Sequence, residues 1–171
     1  MERVAGERLS VARRMFFVLV AVVGSVGMFV VGVQGQAQAL APHPPDATLK
    51  QGNRVLQHGS LISYCWVPVC ADGPSRYPTA VLVEPGTQLY IRLSENRRPE
   101  RFSLRSRSRP SRRIDPTLMP VVRDGKTVAW DAYFRLERPD RHYYLGASGV
   151  WEGRGERGGD AYWQFHVKTR S

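Results

Sequence analysis

Arginine is the residue type in this sequence whose number and spacing could do chemistry. Nine arginines and two acidic residues lie between Arg92 and Arg113. Guanidinium groups bind phosphate and carboxylate through paired hydrogen bonds, so such a cluster is typical of an anion-binding surface. Over 101–109 arginines take odd positions, whereas Phe102 and Leu104 take even ones, which in a strand gives one basic and one apolar face. The candidate anion-binding residues are Arg101, Arg105, Arg107, Arg109, Arg112 and Arg113.

A second interpretation of this arginine stripe needs no ligand. The chain contains 22 arginines and 3 lysines, so an arginine bias runs through the whole sequence. Charged side chains also commonly protect the edge strand of a sheet from pairing with other chains. The sequence alone leaves a functional stripe and a compositional one both open.

Cys65 and Cys70 are the only cysteines of the chain. Outside the cytoplasm such a pair is normally oxidised, and we expect a structural disulfide that stabilises the fold by only about 2 kcal/mol because its loop is short. A redox motif normally has the spacing C-x-x-C, and a zinc site needs about four ligands, so both alternatives are weaker. We expect no metal and no cofactor.

The sequence contains none of the local motifs of hydrolases, metalloproteases or nucleotide-binding enzymes. Asp140 and His142 are two residues apart and could act as a base and its orienting partner, but an exposed turn aspartate followed by a surface histidine is the simpler interpretation. His166 is expected on the solvated face of the last strand. We therefore assign no catalytic residue and expect a protein that is not an enzyme.

The elements that must position these residues are strands. Alternating apolar and polar residues recur in short runs, and Glu84-Pro85-Gly86 and Asp124-Gly125 have turn chemistry. In 127–136 the pattern predicts that Val128 and every second residue after it face the core. The fold class is therefore all-β, an antiparallel sandwich of the immunoglobulin-like type, with a small barrel as the alternative. The predicted strands are 61–66, 80–83, 89–93, 101–106, 119–123, 127–136, 141–147 and 161–167.

The pattern of the first 39 residues predicts an export signal. Four arginines precede an uncharged run from Met15 to Val33, and small residues at Ala37 and Ala39 form a candidate signal cleavage site. The run is also nearly long enough to cross a bilayer, so an uncleaved membrane anchor is the alternative. Either way the arginines stay inside and the rest of the chain is exported, extracellular or attached to the cell envelope.

This gives three expected regions. Residues 1–39 are a signal peptide or an uncleaved anchor. Residues 40–58 are an extended linker that contains prolines, and 59–171 form the sandwich. After removal of the leader, 21 basic and 13 acidic residues remain, so the exported part is basic.

Two motifs resemble those of an exported, largely uncharacterised bacterial protein family. One is S-Y-C-W followed by C-A-D, here Ser63–Trp66 and Cys70–Asp72. The other is a C-terminal Y-x-L…W…G-D-A-Y-W-x-F stretch, here Tyr143–Leu145, Trp151 and Gly159–Phe165. The resemblance implies an extracytoplasmic β-domain with a cysteine bridge, and it brings no catalytic residues. Many relatives carry a lipoprotein signal, whose cysteine this sequence lacks.

Together these features predict an exported, non-enzymatic sandwich that binds or scaffolds at the cell envelope, with the arginine stripe as its anion-binding face. The expected partners are an anionic cell-wall polymer, lipid headgroups or another envelope protein, with membrane contact through residues 15–33 if the leader is uncleaved. Specific nucleic-acid binding is not expected, because no recognition motif is present and the domain is exported. The alternatives are an envelope enzyme with a dispersed site and a membrane-anchored regulatory partner.

Overall fold

A computed structural model describes residues 43–66, 69–108, 110–152 and 158–171. The segments 15–33 and 37–39, to which the leader predictions refer, lie outside the described residues. Among the described residues no helix has the length and apolarity needed to cross a membrane. The described chain contains twelve strands: β1 (Ala47–Gln51), β2 (Arg54–His58), β3 (Ser60–Trp66), β4 (Val69–Asp72), β5 (Val81–Val83), β6 (Gln88–Leu93), β7 (Arg101–Ser106), β8 (Arg112–Ile114), β9 (Thr117–Arg123), β10 (Lys126–Arg135), β11 (His142–Trp151) and β12 (Gly159–Thr169).

The strands form two sheets. Sheet A has the order β2-β1-β6-β10-β9, and sheet B has the order β4-β3-β12-β11-β7-β8. Neighbouring strands are antiparallel except that β5 pairs in parallel with the C-terminal end of β12. The two sheets pack face to face without closing into a barrel, so the predicted β-sandwich is confirmed. Its immunoglobulin-like type stays a prediction.

The core lies between the two sheets and follows the two-residue period of the strands. Leu89, Ile91 and Leu93 of β6 are fully buried on one side, and Trp163 and Phe165 of β12 on the other. Trp151 packs edge to face against both Trp66 and Trp163, with ring centroids 5.4 and 6.3 Å apart. Side chains of this size stabilise the fold by about 1.5–3 kcal/mol each when buried. The alternation therefore decides which face of each strand becomes the core.

A bulge changes the predicted alternation in β10. Ala132 and Phe134 face the core as predicted, but Val128 is 39% exposed. The register with β9 shifts between Thr127 and Ala129, so Val128 is the extra, unpaired residue of a bulge and does not follow the predicted alternation.

The predicted linker, 40–58, is wrong from residue 47 onward. Residues 47–58 form β1 and β2, and β1 pairs with β6 inside sheet A. Gly52, with a φ of 53°, and Asn53 make the two-residue turn between them. Gly-Asn between short strands is a hairpin signal. The apolar alternation does not predict this hairpin, because β1 buries only two apolar residues, Ala47 and Leu49.

Replacing a core leucine tests the packing directly. Leu145→Ala in β11 removes a fully buried side chain, and we expect the free energy of unfolding to fall by about 2–5 kcal/mol. The control Leu82→Ala changes a side chain that is 56% exposed, with an expected loss of under about 0.5 kcal/mol. Urea denaturation of the disulfide-bonded protein measures both, and equal losses would contradict the assigned core.

Candidate anion-binding site

Strand β7 places the arginine stripe as its alternation predicts. Arg101 and Arg105 are exposed, while Leu104 between them is fully buried. Arg107 follows the strand and is also exposed. Arg109 lies outside the described residues. The stripe therefore lies on the outer face of sheet B, where side chains point away from the core.

Strand β8 brings the flanking arginines to the same edge. Arg113 lies directly opposite Arg105, and Arg112 lies opposite Ser106. Directly opposed side chains have β-carbons about 5 Å apart, so two like charges there repel each other. All five described residues of the predicted set lie on or beside the β7–β8 pair, which leaves a concentrated positive charge at this edge.

Two carboxylates neutralise part of that charge. Arg101 Nη2 lies 3.1 Å from Glu152 Oε1, and Arg113 Nε lies 2.7 Å from Asp115 Oδ1. All four side chains are more than half exposed, and ion pairs in such surroundings contribute little to stability. Among the described residues, no ion pair is formed by Arg105 or Arg112.

The structure adds a concave site that the stripe alone does not suggest. A cleft of about 320 Å³ opens beside β8, between the end of β10 and the start of β11. Leu136 and Tyr143 contribute apolar surface to it, and Asp115 and Glu137 are its two carboxylates. Its five arginines are Arg112, Arg113, Arg135, Arg138 and Arg141.

Three of these arginines do not belong to the anion-binding set that the sequence predicts. Arg135 ends β10, and Arg138 and Arg141 belong to the connection to β11, more than twenty residues after the stripe. The fold, and not proximity along the chain, brings that connection next to β8. A charge count along the chain detects a local cluster, whereas this one is formed by tertiary structure.

Buried Thr169 of β12 holds the connection in place. Its hydroxyl donates to the carbonyl oxygen of Arg138 at 2.7 Å and accepts from the backbone N–H of Arg141 at 3.0 Å. The backbone N–H of Arg138 donates to the Tyr143 hydroxyl at 3.3 Å. One hydroxyl thus ties both ends of the segment that carries Arg138 and Arg141.

The candidate pair of Asp140 and His142 is not brought together as a base and its partner. Asp140 lies 3.8 Å from Lys168 Nζ, while His142 Nδ1 lies 2.9 Å from His166 Nε2. His166 is half-buried, so the expectation of a simply solvated ring is wrong, because residues 75–78 contact this face of β11 and β12. Its Nδ1 lies 3.2 Å from the carbonyl oxygen of Pro78, and Tyr144 stacks on its ring.

Burial lowers the pKa of His166. The nearby His142 lowers this pKa further, and the Pro78 carbonyl, which accepts from the ring N–H of His166, partly offsets both effects. The protonated ring is thus disfavoured relative to an exposed histidine, because desolvation penalises the charged form.

Cys65 and Cys70 form the expected disulfide. They lie directly opposite each other in the β3–β4 pair, and both residues are exposed. In the described part of the chain, no group of three or more histidine, cysteine, aspartate or glutamate side chains could hold a metal ion. The bridge joins an edge strand to its neighbour and leaves the core untouched.

Comparisons of the chain with protein families, curated proteins and solved structures find no match. The resemblance of its two motifs to an exported bacterial family stays a hypothesis.

Thr169→Val tests how the cleft is held. The change keeps the shape of the side chain and removes the hydroxyl, so we expect a loss of about 1–3 kcal/mol and faster hydrogen exchange at the Arg141 amide. Thr169→Ser keeps the hydroxyl and should preserve slow exchange at that amide. Exchange measured by NMR separates the two variants, and an unchanged Arg141 amide in Thr169→Val would contradict this role.

The stability of the domain should depend on pH through His166. Its pKa in the folded protein lies below that of the unfolded chain, about 6.5, so the unfolded state binds the proton more tightly. The stabilising contribution is therefore complete above about pH 6.5 and is lost as the pH falls through the folded pKa.

Urea midpoints between pH 8 and pH 5 measure this slope. His166→Gln should flatten it, because the titrating group is gone. His58→Gln changes an exposed histidine of β2 and should keep the wild-type slope. Identical slopes in all three proteins would refute the assignment to His166.

Proposed function

We propose that this protein is an exported, non-enzymatic β-sandwich that binds an anionic ligand at the cell envelope, with the five-arginine cleft as its binding site. One observation carries the proposal. Three separate parts of the chain, β8, the end of β10 and the β10–β11 connection, contribute arginines to a single concave site. Guanidinium groups arranged around a concavity can bind one phosphate or carboxylate from several sides.

The charge of the cleft favours an anion over a neutral ligand. Five arginines face two carboxylates, and Asp115 already pairs with Arg113. A concave surface with one sign of charge concentrates field lines and raises the local concentration of oppositely charged ligands. The exposed Arg112 and Arg138 are free of ion pairs within the described residues, so a ligand need not displace a partner from them.

The envelope location rests on the leader and the cysteines. Basic residues followed by an apolar run and the small residues Ala37 and Ala39 are typical of export. The Cys65–Cys70 disulfide is compatible with an oxidising compartment outside the cytoplasm. Phosphate-bearing polymers and anionic lipid headgroups are ligands in that location whose negative charge is complementary to the arginines of the cleft.

A binding role is better supported than an enzymatic one. The described lining of the cleft is dominated by five arginines, which do not titrate near neutral pH; of its two carboxylates Asp115 is paired with Arg113, and the histidine pair lies elsewhere, on the outer face of sheet B. General acid–base chemistry needs a group that titrates near the working pH beside the ligand. The cleft is therefore better suited to holding an anion than to transforming one.

Titration of the exported protein with sodium triphosphate tests the proposal. The double variant Arg112→Gln/Arg138→Gln removes two cleft charges and should weaken binding by about tenfold. Arg54→Gln/Arg123→Gln removes the same charge from exposed positions on sheet A and should change the affinity by less than about twofold. Calorimetry at several salt concentrations should show weaker binding as salt rises.

Two results would refute the site. Wild-type protein that does not bind triphosphate at low salt would remove the proposed function altogether. Equal loss of affinity in the two double variants would mean that net charge, and not the cleft, attracts the anion.

A further inference from the structure

We propose that the ligand is a linear polymer of phosphate groups, which enters the cleft at one point and continues across β8 along the outer face of β7. This inference rests on the proposed function of the cleft. It adds a second contact surface, the stripe of Arg101, Arg105 and Arg107, and thereby a ligand much longer than a single anion.

The length of the stripe is the first argument. Arg101 and Arg107 are six residues apart on an extended segment, a distance of about 20 Å. Both are exposed, and Arg105 lies between them on the same face of β7. A single phosphate or carboxylate group cannot contact both ends of such a row. A chain with repeated charges can.

Continuity between the two surfaces is the second argument. Arg113 lines the cleft and also lies directly opposite Arg105 of the stripe. Neighbouring strands are about 5 Å apart, so a ligand that leaves the cleft over β8 meets β7 at once. The cleft and the stripe therefore form one track, with Arg113 at the junction.

The electrostatics of the junction favour an occupant. Arg105 and Arg113 repel each other across the strands, and among the described residues no carboxylate pairs with Arg105. An anion placed between them would relieve this repulsion. The ion pairs of Arg101 with Glu152 and of Arg113 with Asp115 are exposed, and they cost little to exchange for a ligand.

The shape of the track separates a polymer from a membrane surface. A flat layer of headgroups could contact the outer face of β7, but it could not also fill a concave cleft beside β8. A flexible chain can contact both surfaces. Binding at two linked sites raises the effective concentration at the second, so a polymer binds more tightly than its short fragment.

The experiment compares triphosphate with long-chain polyphosphate at equal phosphate concentration, using the exported protein and calorimetry. We expect the long chain to bind about tenfold more tightly, with a steeper dependence on salt. The stripe variant Arg101→Gln/Arg105→Gln should lower the affinity for the long chain more than the affinity for triphosphate, so that the advantage of the long chain disappears. The cleft variant Arg112→Gln/Arg138→Gln should weaken both ligands, and Arg54→Gln/Arg123→Gln should affect neither.

The results that would refute the proposed track differ from those that would refute the proposed cleft site. Equal affinity for short and long phosphate chains, or an unaffected long chain in the stripe variant, would overturn the track and leave the cleft intact. Absence of any phosphate binding would overturn both. Tighter binding of poly-glutamate than of polyphosphate would overturn the choice of phosphate, and preference for phosphatidylglycerol vesicles over polyphosphate would assign the surface to headgroups.

Discussion

The pairing of β12 on both of its edges is the constraint on which the rest of the structure depends. One edge pairs with β11 over ten consecutive positions, from Gly159 to Lys168, and the other is shared between β3 and β5. The inward side chains Trp163, Phe165 and Val167 are fully buried, so a slip of one residue would turn all of them toward solvent. The hydrophobic pattern thereby enforces one register.

That register also decides where the arginines lie. The register fixes the position of Thr169 at the end of β12. Its hydroxyl therefore reaches the backbone of Arg138 and Arg141 and holds the segment that lines the cleft. The opposite edge of β11 pairs with β7, which carries Arg101 and Arg105 outward. Core packing in sheet B and charge placement on its surface are thus consequences of the same ladder of hydrogen bonds.

Features that depend on local residue patterns could be predicted from the sequence. The alternation in 101–106 matched β7 at both ends, and the cysteine pair matched the disulfide. The sequence could not place β8, which has only three residues, two of them arginines, and therefore no alternation to detect. The half of the cleft formed by Arg135, Arg138 and Arg141 was equally invisible, since distance along the chain carries no information about which surface a connection packs against.

The disulfide has a consequence for the behaviour of the protein in a crowded compartment. Strand β4 lies at the edge of sheet B and is exposed along its whole length. An exposed edge offers unpaired backbone groups to strands of other molecules, which is a route to aggregation. By cross-linking β4 to β3, the bridge keeps this edge from peeling away and presenting the longer, more apolar β3 in its place. Pro120 serves sheet A in a comparable way, since proline in edge strand β9 has no N–H to donate to a neighbour.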